Sequence, residues 1–76
     1  MKYIVFLGDE FVLFPEFQDH SSMVGDRIPI SAGFCKIYKN SNDKELNISC
    51  YGNSNSLKLE SRGKEDEEII KYSLRN

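Results

Sequence analysis

Residues Tyr3 to Phe17, YIVFLGDEFVLFPEF, decide the fold, because ten of these fifteen side chains are apolar. The runs YIVFL and FVLF consist of β-branched, aliphatic and aromatic residues, which favour strands. Gly8-Asp9 between them is the Gly-X pair that a two-residue hairpin loop requires. The stretch therefore predicts an antiparallel hairpin, and Pro15 ends its second strand because proline has no N–H to donate.

A two-residue loop sets the register of this hairpin. The predicted cross-strand partners are Leu7 with Glu10, Phe6 with Phe11, Val5 with Val12, Ile4 with Leu13 and Tyr3 with Phe14. This register puts Phe6 and Phe11 on one face of the sheet and Phe14 on the other, so both faces are apolar. Two apolar faces must both be covered, either by this chain or by a second copy.

Length and charge limit the class of protein. A chain of 76 residues predicts one domain spanning residues 1–76, and a core this small gains from self-association. With 10 Lys and Arg against 12 Asp and Glu, the formal net charge is −2, which argues against general nucleic-acid binding through phosphate neutralisation. Apolar runs stay well below the roughly 20 residues that span a bilayer, so no membrane partner is expected. Met1-Lys2 leads directly into strand sequence without a signal-peptide pattern, which predicts a cytoplasmic protein.

The central part of the chain predicts three further strands. Residues 18–26 form a polar loop with one helical turn, for which Asp19 is the N-cap. The third strand covers residues 27–38, and Ala32-Gly33 within it indicates a bulge or a close backbone approach. The fourth strand covers residues 45–51, and a short fifth strand covers residues 57–60.

The two cysteines lie in the third and fourth strands. A hairpin centred on Asn42-Asp43 places Cys35 opposite Cys50 on a mostly apolar side. We interpret them as small buried residues that stay reduced, and a cross-strand disulfide is the alternative. The opposite side of this hairpin carries mixed aromatic and polar residues, namely Phe34, Lys36, Tyr38, Asn47, Ser49 and Tyr51.

Residues 64–75 predict an amphipathic helix. Gly63 serves as N-cap, and the acidic run 65–68 lies at the positive end of the helix dipole. We interpret this run as solvated charge rather than as a set of metal ligands. The apolar stripe of the helix contains Ile69, Ile70, Tyr72 and Leu74. This stripe is narrow and suited to lying on one face of the sheet, so the remaining apolar face becomes a candidate self-association surface. The fold class is therefore α+β, with one mostly antiparallel sheet of about five strands and one C-terminal helix.

Residues with catalytic potential are few. His20 is the only histidine, and no nucleophile motif accompanies it, so we expect no enzyme activity, no cofactor and no metal. Five polar or aromatic residues near turns and strand ends form a candidate site for a small anionic ligand, with ordinary surface polarity as the alternative. These residues are His20, Arg27, Ser31, Tyr51 and Arg62.

The segments FPEF, PISAGF and CYGNSNSLKLESR, with a histidine after the first and ED..II after the last, resemble a group of short bacterial and phage-encoded proteins. Small acidic domains of this kind are similar to phage antagonists of bacterial immunity, including anti-CRISPR proteins and proteins that sequester nucleotide signals. The resemblance implies a stoichiometric inhibitor of host defence and supplies no catalytic residue.

Two modes of action therefore stay open. The protein is expected to mask a surface of a host protein; alternatively, it sequesters a small anionic, nucleotide-like ligand at a junction between subunits. Masking needs an exposed patch with aromatic anchors, whereas sequestration needs a pocket with convergent basic groups. Self-association into a homodimer or larger assembly is expected in either case.

Overall fold

The computed structural model describes residues 1–39 and 46–75, which adopt the predicted α+β fold. Four antiparallel strands form the main sheet in the order β2-β1-β3-β4, a two-stranded sheet pairs β5 with β6, and one helix follows. The elements are β1 (Lys2–Phe6), β2 (Glu10–Phe14), a 3₁₀ helix (His20–Met23), β3 (Pro29–Lys39), β4 (Leu46–Tyr51), β5 (Asn53–Ser54), β6 (Leu59–Glu60) and α1 (Lys64–Arg75).

The first hairpin forms, but its predicted register is wrong by one residue. Phe6 pairs with Glu10, so the loop contains three residues instead of two. The Asp9 N–H donates to the Phe6 carbonyl (3.0 Å), and Gly8 adopts a φ of +92° within this turn. Leu7 does not pair with Glu10 because its N–H donates to the carbonyl of Ile28, at 2.8 Å, beside the start of β3. A contact distant in sequence thus overrides the loop that the local sequence favours.

The shift changes which aromatic residues share a face. A one-residue slip moves side chains to the opposite side of their partner strand. Phe6 and Phe14 now lie together on one face, whereas Phe11 packs on the other face with Tyr3 and Val5. The prediction that Phe6 and Phe11 share a face is therefore wrong.

Both faces of the sheet are covered by the chain itself. On one face, α1 contributes Ile69 and Ile70 to a core that includes Tyr3, Val5, Cys35, Ile48 and Cys50. On the other face, the region of the 3₁₀ helix and the approach to β6 supply Met23, Val24, Leu57 and Leu59 over Ile4, Phe6, Phe14 and Ala32. The apolar face that the sequence leaves for self-association is filled by these segments.

Strand β3 contains both a bulge and a close backbone approach, at two separate places. Opposite β1, Val5 pairs with Ser31 but Phe6 pairs with Pro29, so Ile30 is the extra residue of a bulge. Gly33 provides the close approach, since a Cβ there would lie 2.5 Å from the Tyr51 carbonyl oxygen. The bulge therefore falls two residues before Ala32-Gly33, next to the proline that cannot donate to the ladder.

The β3–β4 pairing is confirmed, with Cys35 opposite Cys50 and Ile37 opposite Ile48. The predicted turn at Asn42-Asp43 lies outside the described residues. The predicted fifth strand is shorter than expected, because Lys58 has a φ of +55° and only Leu59–Glu60 is extended. This strand pairs with Asn53–Ser54 and does not join the main sheet, whose described strands number four.

The helix has the predicted bounds. Its first intrahelical hydrogen bond runs from the Glu67 N–H to the Gly63 carbonyl (3.0 Å), as expected for Gly63 as N-cap. Ile70 is fully buried, whereas Tyr72 and Leu74 are exposed, so the stripe that covers the sheet is narrower than predicted. Among residues 1–39 and 46–75, no helix has the length and apolar character needed to cross a membrane.

Candidate functional site

Asp66 is the centre of a buried polar network beneath α1. Its side chain is fully inaccessible to solvent and accepts four hydrogen bonds. The donors are the Tyr3 hydroxyl, the Ser31 hydroxyl (2.8 Å), and the backbone N–H (2.8 Å) and Nε–H (2.9 Å) of Arg62. The interpretation of the acidic run as solvated charge is therefore wrong for Asp66. A buried carboxylate needs such partners, because without them its desolvation would destabilise the folded state by roughly several kcal/mol.

Strand pairing and helix spacing bring the network together. Ser31 lies opposite Val5 in the β1–β3 ladder, on the same face as Tyr3 two residues away. Asp66 lies one turn before the buried Ile70, so both side chains face the sheet. Arg62 precedes the helix and approaches the same carboxylate from the chain entering α1.

The Tyr3 hydroxyl connects this carboxylate to the segment before the helix. Burial raises the pKa of the Tyr3 phenol, and its hydrogen bond to Asp66 raises that pKa further. Its oxygen also lies 2.6 Å from the Ser61 hydroxyl oxygen. Since the single phenol proton goes to the carboxylate, the Ser61 hydroxyl is the donor in this second contact.

This network uses two of the five residues predicted to bind an anion. Ser31 donates to Asp66, and the guanidinium of Arg62 is paired with Asp66 and, at 3.5 Å, with Glu65. The two residues do meet, as expected, but a carboxylate occupies the position that an anionic ligand would need.

Arg27 lies away from the other predicted site residues. Its guanidinium carbon stands 3.9 Å from the centroid of the Phe6 ring, a cation–π arrangement. One of its nitrogens donates to the Met23 carbonyl at 3.3 Å. Arg27 thus covers the second face of the sheet and does not converge with Arg62.

His20 is buried, although the sequence predicts a histidine in a polar loop. It begins the 3₁₀ helix, is 4% exposed, and its Nε2 lies 2.9 Å from the Gly33 carbonyl oxygen. Because a carbonyl only accepts, Nε2 carries the proton. The imidazole meets the rings of Phe14 and Phe34 edge-on, at centroid distances of 5.4 and 6.2 Å. Its position is fixed by three contacts to the sheet.

Phe34 connects His20 with Tyr51. The rings of Phe34 and Tyr51 stack at 5.9 Å between centroids with an interplanar angle of 23°. His20 and Tyr51 therefore approach the same aromatic ring. The structure thus distributes the predicted site over three places: Ser31 and Arg62 at Asp66, His20 and Tyr51 at Phe34, and Arg27 at Phe6.

An exposed aromatic surface follows from the β3–β4 register. Phe34 pairs with Tyr51, Lys36 with Ser49 and Tyr38 with Asn47, so all six side chains share one face. Tyr38 and Tyr51 are 49% and 51% exposed. We call the surface formed by Phe34, Lys36, Tyr38 and Tyr51 the tyrosine face.

A polar cleft of about 290 Å³ adjoins this surface through Phe34. We call it the Lys2 cleft; its walls come from β1, the 3₁₀ helix, β3 and the β5 region, and include Lys2, Asp19, His20, Phe34, Asn53 and Asn55. A larger groove of about 530 Å³ runs between the β1–β2 loop and α1, and Asp9 and Glu68 make it acidic. Of the five residues predicted to bind an anion, His20 alone lines the Lys2 cleft, and the acidic groove contains none of the five.

The two cysteines lie opposite each other within the core. Both are free and buried. The Cys35 N–H donates to the Met1 carbonyl (2.7 Å), so its backbone faces β1 and not β4, which makes Cys35 and Cys50 a non-hydrogen-bonded pair. The contact with Cys35, together with burial, raises the pKa of the Cys50 thiol. The Cys50 N–H donates to the Glu67 carboxylate at 3.0 Å, which fastens α1 to β4.

No protein family, curated protein or solved structure gives a significant match to this chain. Its function must therefore be argued from its own residues. Within the described residues, no three potential metal ligands form a cluster. Asp66 was not identified from the sequence as a buried residue. Its position one helical turn before Ile70, on the apolar side of the helix, could have indicated this burial.

Proposed function

We propose that this protein is a non-enzymatic, stoichiometric binding protein that masks the surface of a protein partner with its tyrosine face. The observation that carries the proposal is the pair of half-exposed tyrosines, Tyr38 and Tyr51, on a sheet face beyond the segments that cover the core. Tyrosine is enriched among the residues that dominate binding energy at interfaces, because it combines large apolar area with a hydroxyl.

The tyrosine face is rigid where it meets the core. The Tyr51 ring stacks on Phe34, which restricts its position. Phe34 is itself restricted by its edge contact with the buried His20 ring. A side chain that is ordered before binding loses less conformational entropy in the complex. The face therefore presents an anchor that is already positioned.

The chemistry of the partner follows from the composition of the face. Lys36 is exposed on β3, between the cross-strand pair that contains Tyr38 and the pair that contains Tyr51. It is the charged residue of the tyrosine face. A complementary surface carries a carboxylate opposite Lys36 and apolar groups opposite the rings. We propose a host-defence protein in the cytoplasm as this partner, in the manner of phage-encoded inhibitors such as anti-CRISPR proteins.

The hydrogen bonds of Ser31 and His20 favour a binding role over catalysis. The Ser31 hydroxyl donates to Asp66, whereas His20 donates to the Gly33 carbonyl, so the two groups serve different partners. Activation of a serine by histidine needs a direct hydrogen bond between them. Within the described residues, these side chains hold the fold together.

The masking proposal is tested by affinity capture with matched variants. Wild-type protein, the double variant Tyr38→Ala/Tyr51→Ala and the control Tyr72→Ala are compared, since Tyr72 is 74% exposed on α1. We expect a partner captured in a fixed ratio by the wild type and by Tyr72→Ala but lost by the double variant. Capture of the same proteins by all three would overturn the proposal.

A second copy of this chain is the other candidate occupant of the tyrosine face. We propose self-association there in place of the apolar face that the chain covers itself. Light scattering over a range of concentrations tests this, and a dimer that Tyr38→Ala/Tyr51→Ala converts to monomer supports it. A concentration-independent monomer mass would contradict self-association while leaving the masking test unaffected.

A further inference from the structure

We propose that the Lys2 cleft binds a small sugar phosphate, with the phosphate at Lys2 and sugar hydroxyls at Asp19 and His20. The cleft is separate from the centre of the tyrosine face, so this inference goes beyond the masking function. It rests on the walls of the cleft, on the burial of His20 and on the balance of donors and acceptors.

The walls of the cleft are fastened to one another. The Lys2 ammonium donates to the Gln18 carbonyl at 2.7 Å, which joins β1 to the segment before the 3₁₀ helix. The Ser21 N–H donates to the Ser56 hydroxyl at 3.3 Å, which joins the 3₁₀ helix to the β5–β6 loop. A cleft held on two sides is largely formed before a ligand arrives, and this lowers the entropic cost of binding.

His20 is a buried polar group that borders this cleft. Its Nε2–H is used by the Gly33 carbonyl, and Phe14 and Phe34 hold the ring from the edges. In this tautomer Nδ1 is the remaining polar atom and accepts a hydrogen bond. A hydroxyl group of a ligand is the matching donor.

Asp19 supplies a second acceptor. It precedes the 3₁₀ helix at the N-cap position, but its side chain makes no capping hydrogen bond. The carboxylate is therefore not needed by the helix it precedes. Carboxylate and imidazole acceptors on one wall favour a ligand with several hydroxyl groups.

Lys2 and the asparagines supply the donors. The ammonium has three N–H groups, of which the Gln18 contact uses one. Asn53 donates to the Asn55 side-chain oxygen at 2.9 Å, which leaves the amide nitrogen of Asn55 as a free donor beside the cleft. An ammonium together with amide N–H groups suits the several acceptor oxygens of a phosphate monoester. A volume of about 290 Å³ accommodates a phosphorylated pentose.

The single histidine gives a direct readout of binding. Because the chain has one histidine, its imidazole proton resonances in an NMR spectrum are assigned without ambiguity, and they come from a side chain that lines the cleft. Titration with ribose 5-phosphate at constant ionic strength should shift these resonances to saturation. Lys2→Gln should weaken binding about tenfold or more, since it removes a charge-assisted contact, whereas the control Lys64→Gln, exposed at the start of α1, should leave it unchanged.

Further arms of the titration decide the ligand class. Asn55→Ala should also weaken binding, and because Asn55 is exposed this variant keeps its fold. Ribose alone and inorganic phosphate alone should each bind more weakly than ribose 5-phosphate. The proposal is overturned by the absence of a saturable shift, by an unchanged affinity in Lys2→Gln, or by inorganic phosphate binding as tightly as the sugar phosphate.

Discussion

Tyr3 donates a hydrogen bond to Asp66 across 63 residues of chain, from the first strand of the sheet to the first turn of α1. The contact lies in the core, where both side chains are fully buried. The hydrogen bond joins β1 to α1 and, unlike apolar packing, fixes the positions of the Tyr3 hydroxyl and the Asp66 carboxylate. The stability of the domain should therefore depend on this carboxylate.

Replacing Asp66 by alanine should destabilise the domain by about 3–5 kcal/mol, because the change leaves the Arg62 guanidinium and two buried hydroxyls without their acceptor. Urea denaturation followed by circular dichroism measures this loss. Glu68→Ala is the matched control, as Glu68 is an exposed carboxylate on the same helix. Equal effects of the two substitutions would show that Asp66 contributes only as helix-dipole charge.

The stability of the domain should fall above about pH 10, the ordinary pKa of tyrosine. The folded state raises the pKa of the Tyr3 phenol, so the folded chain keeps a proton that the unfolded chain releases in this range. The stabilisation is complete below about pH 10 and is lost as pH rises, by up to about 1.4 kcal/mol per pH unit.

Tyr3→Phe should remove this part of the pH dependence while lowering stability at neutral pH by about 1–3 kcal/mol, because Asp66 loses a donor. Tyr38→Phe serves as the control, since Tyr38 is exposed on the tyrosine face. Denaturant unfolding at a series of pH values compares the three proteins. A pH dependence in Tyr3→Phe equal to that of the wild type would exclude the phenol as its source.

The thiols of Cys35 and Cys50 should react with a thiol reagent only when the domain unfolds. They are 1% and 6% exposed, and the thiolate is the reactive form. We expect slow modification by a disulfide reagent in buffer and rapid modification of both cysteines in urea, measured by absorbance and mass. Fast reaction under native conditions would contradict the buried, reduced pair.

Gly33→Ala should be strongly destabilising, at about 1–3 kcal/mol or more, because its Cβ would meet the Tyr51 carbonyl oxygen at 2.5 Å. The clash is with backbone, so relief requires β3 and β4 to separate, and the Gly33 carbonyl that accepts from His20 would move as well. Gly8→Ala is the comparison: a Cβ there meets open space, and its positive φ alone costs about 1–2 kcal/mol.

A thermal-unfolding series would rank these two glycine variants. Gly33→Ala should lower Tm more than Gly8→Ala and should also shift the His20 resonances. The reverse order would mean that the close approach of β3 to Tyr51 is readily relieved.

Local sequence was sufficient to predict the type and approximate position of most elements. Runs of β-branched and aromatic residues on either side of Gly8-Asp9 predicted the first hairpin, and a hairpin centred on Asn42-Asp43 predicted the pairing of Cys35 with Cys50. The helix over 64–75 followed from Gly63, an acidic first turn and Ile70 on its buried side. These features depend on neighbours within a few residues, which is why one chain is enough to predict them.

The candidate sites were less accessible to prediction. His20 lies in a polar stretch, and only its contacts with Gly33 and Phe34 make it a buried residue. Tyr51 was predicted as a ligand-binding residue from the sequence, but its stacking on Phe34 and its place on one face with Tyr38 required the register of β3 and β4. Polar residues in turns have similar patterns whether they face solvent or a cleft.

The sequence by itself determined the α+β class, the approximate positions of β1 to β4 and the C-terminal helix, because strand-forming runs, helical periodicity and turn residues act over short distances, whereas the division of the strands into two sheets was not predicted. Only the tertiary structure decided the register of the first hairpin, where the Leu7 N–H binds the Ile28 carbonyl, and the burial of Asp66 among donors from three separate segments. The Leu7 contact and the Asp66 contacts with Tyr3 and Ser31 are hydrogen bonds between residues far apart in the chain. The free energy of such bonds appears only when the complete fold brings donor and acceptor together.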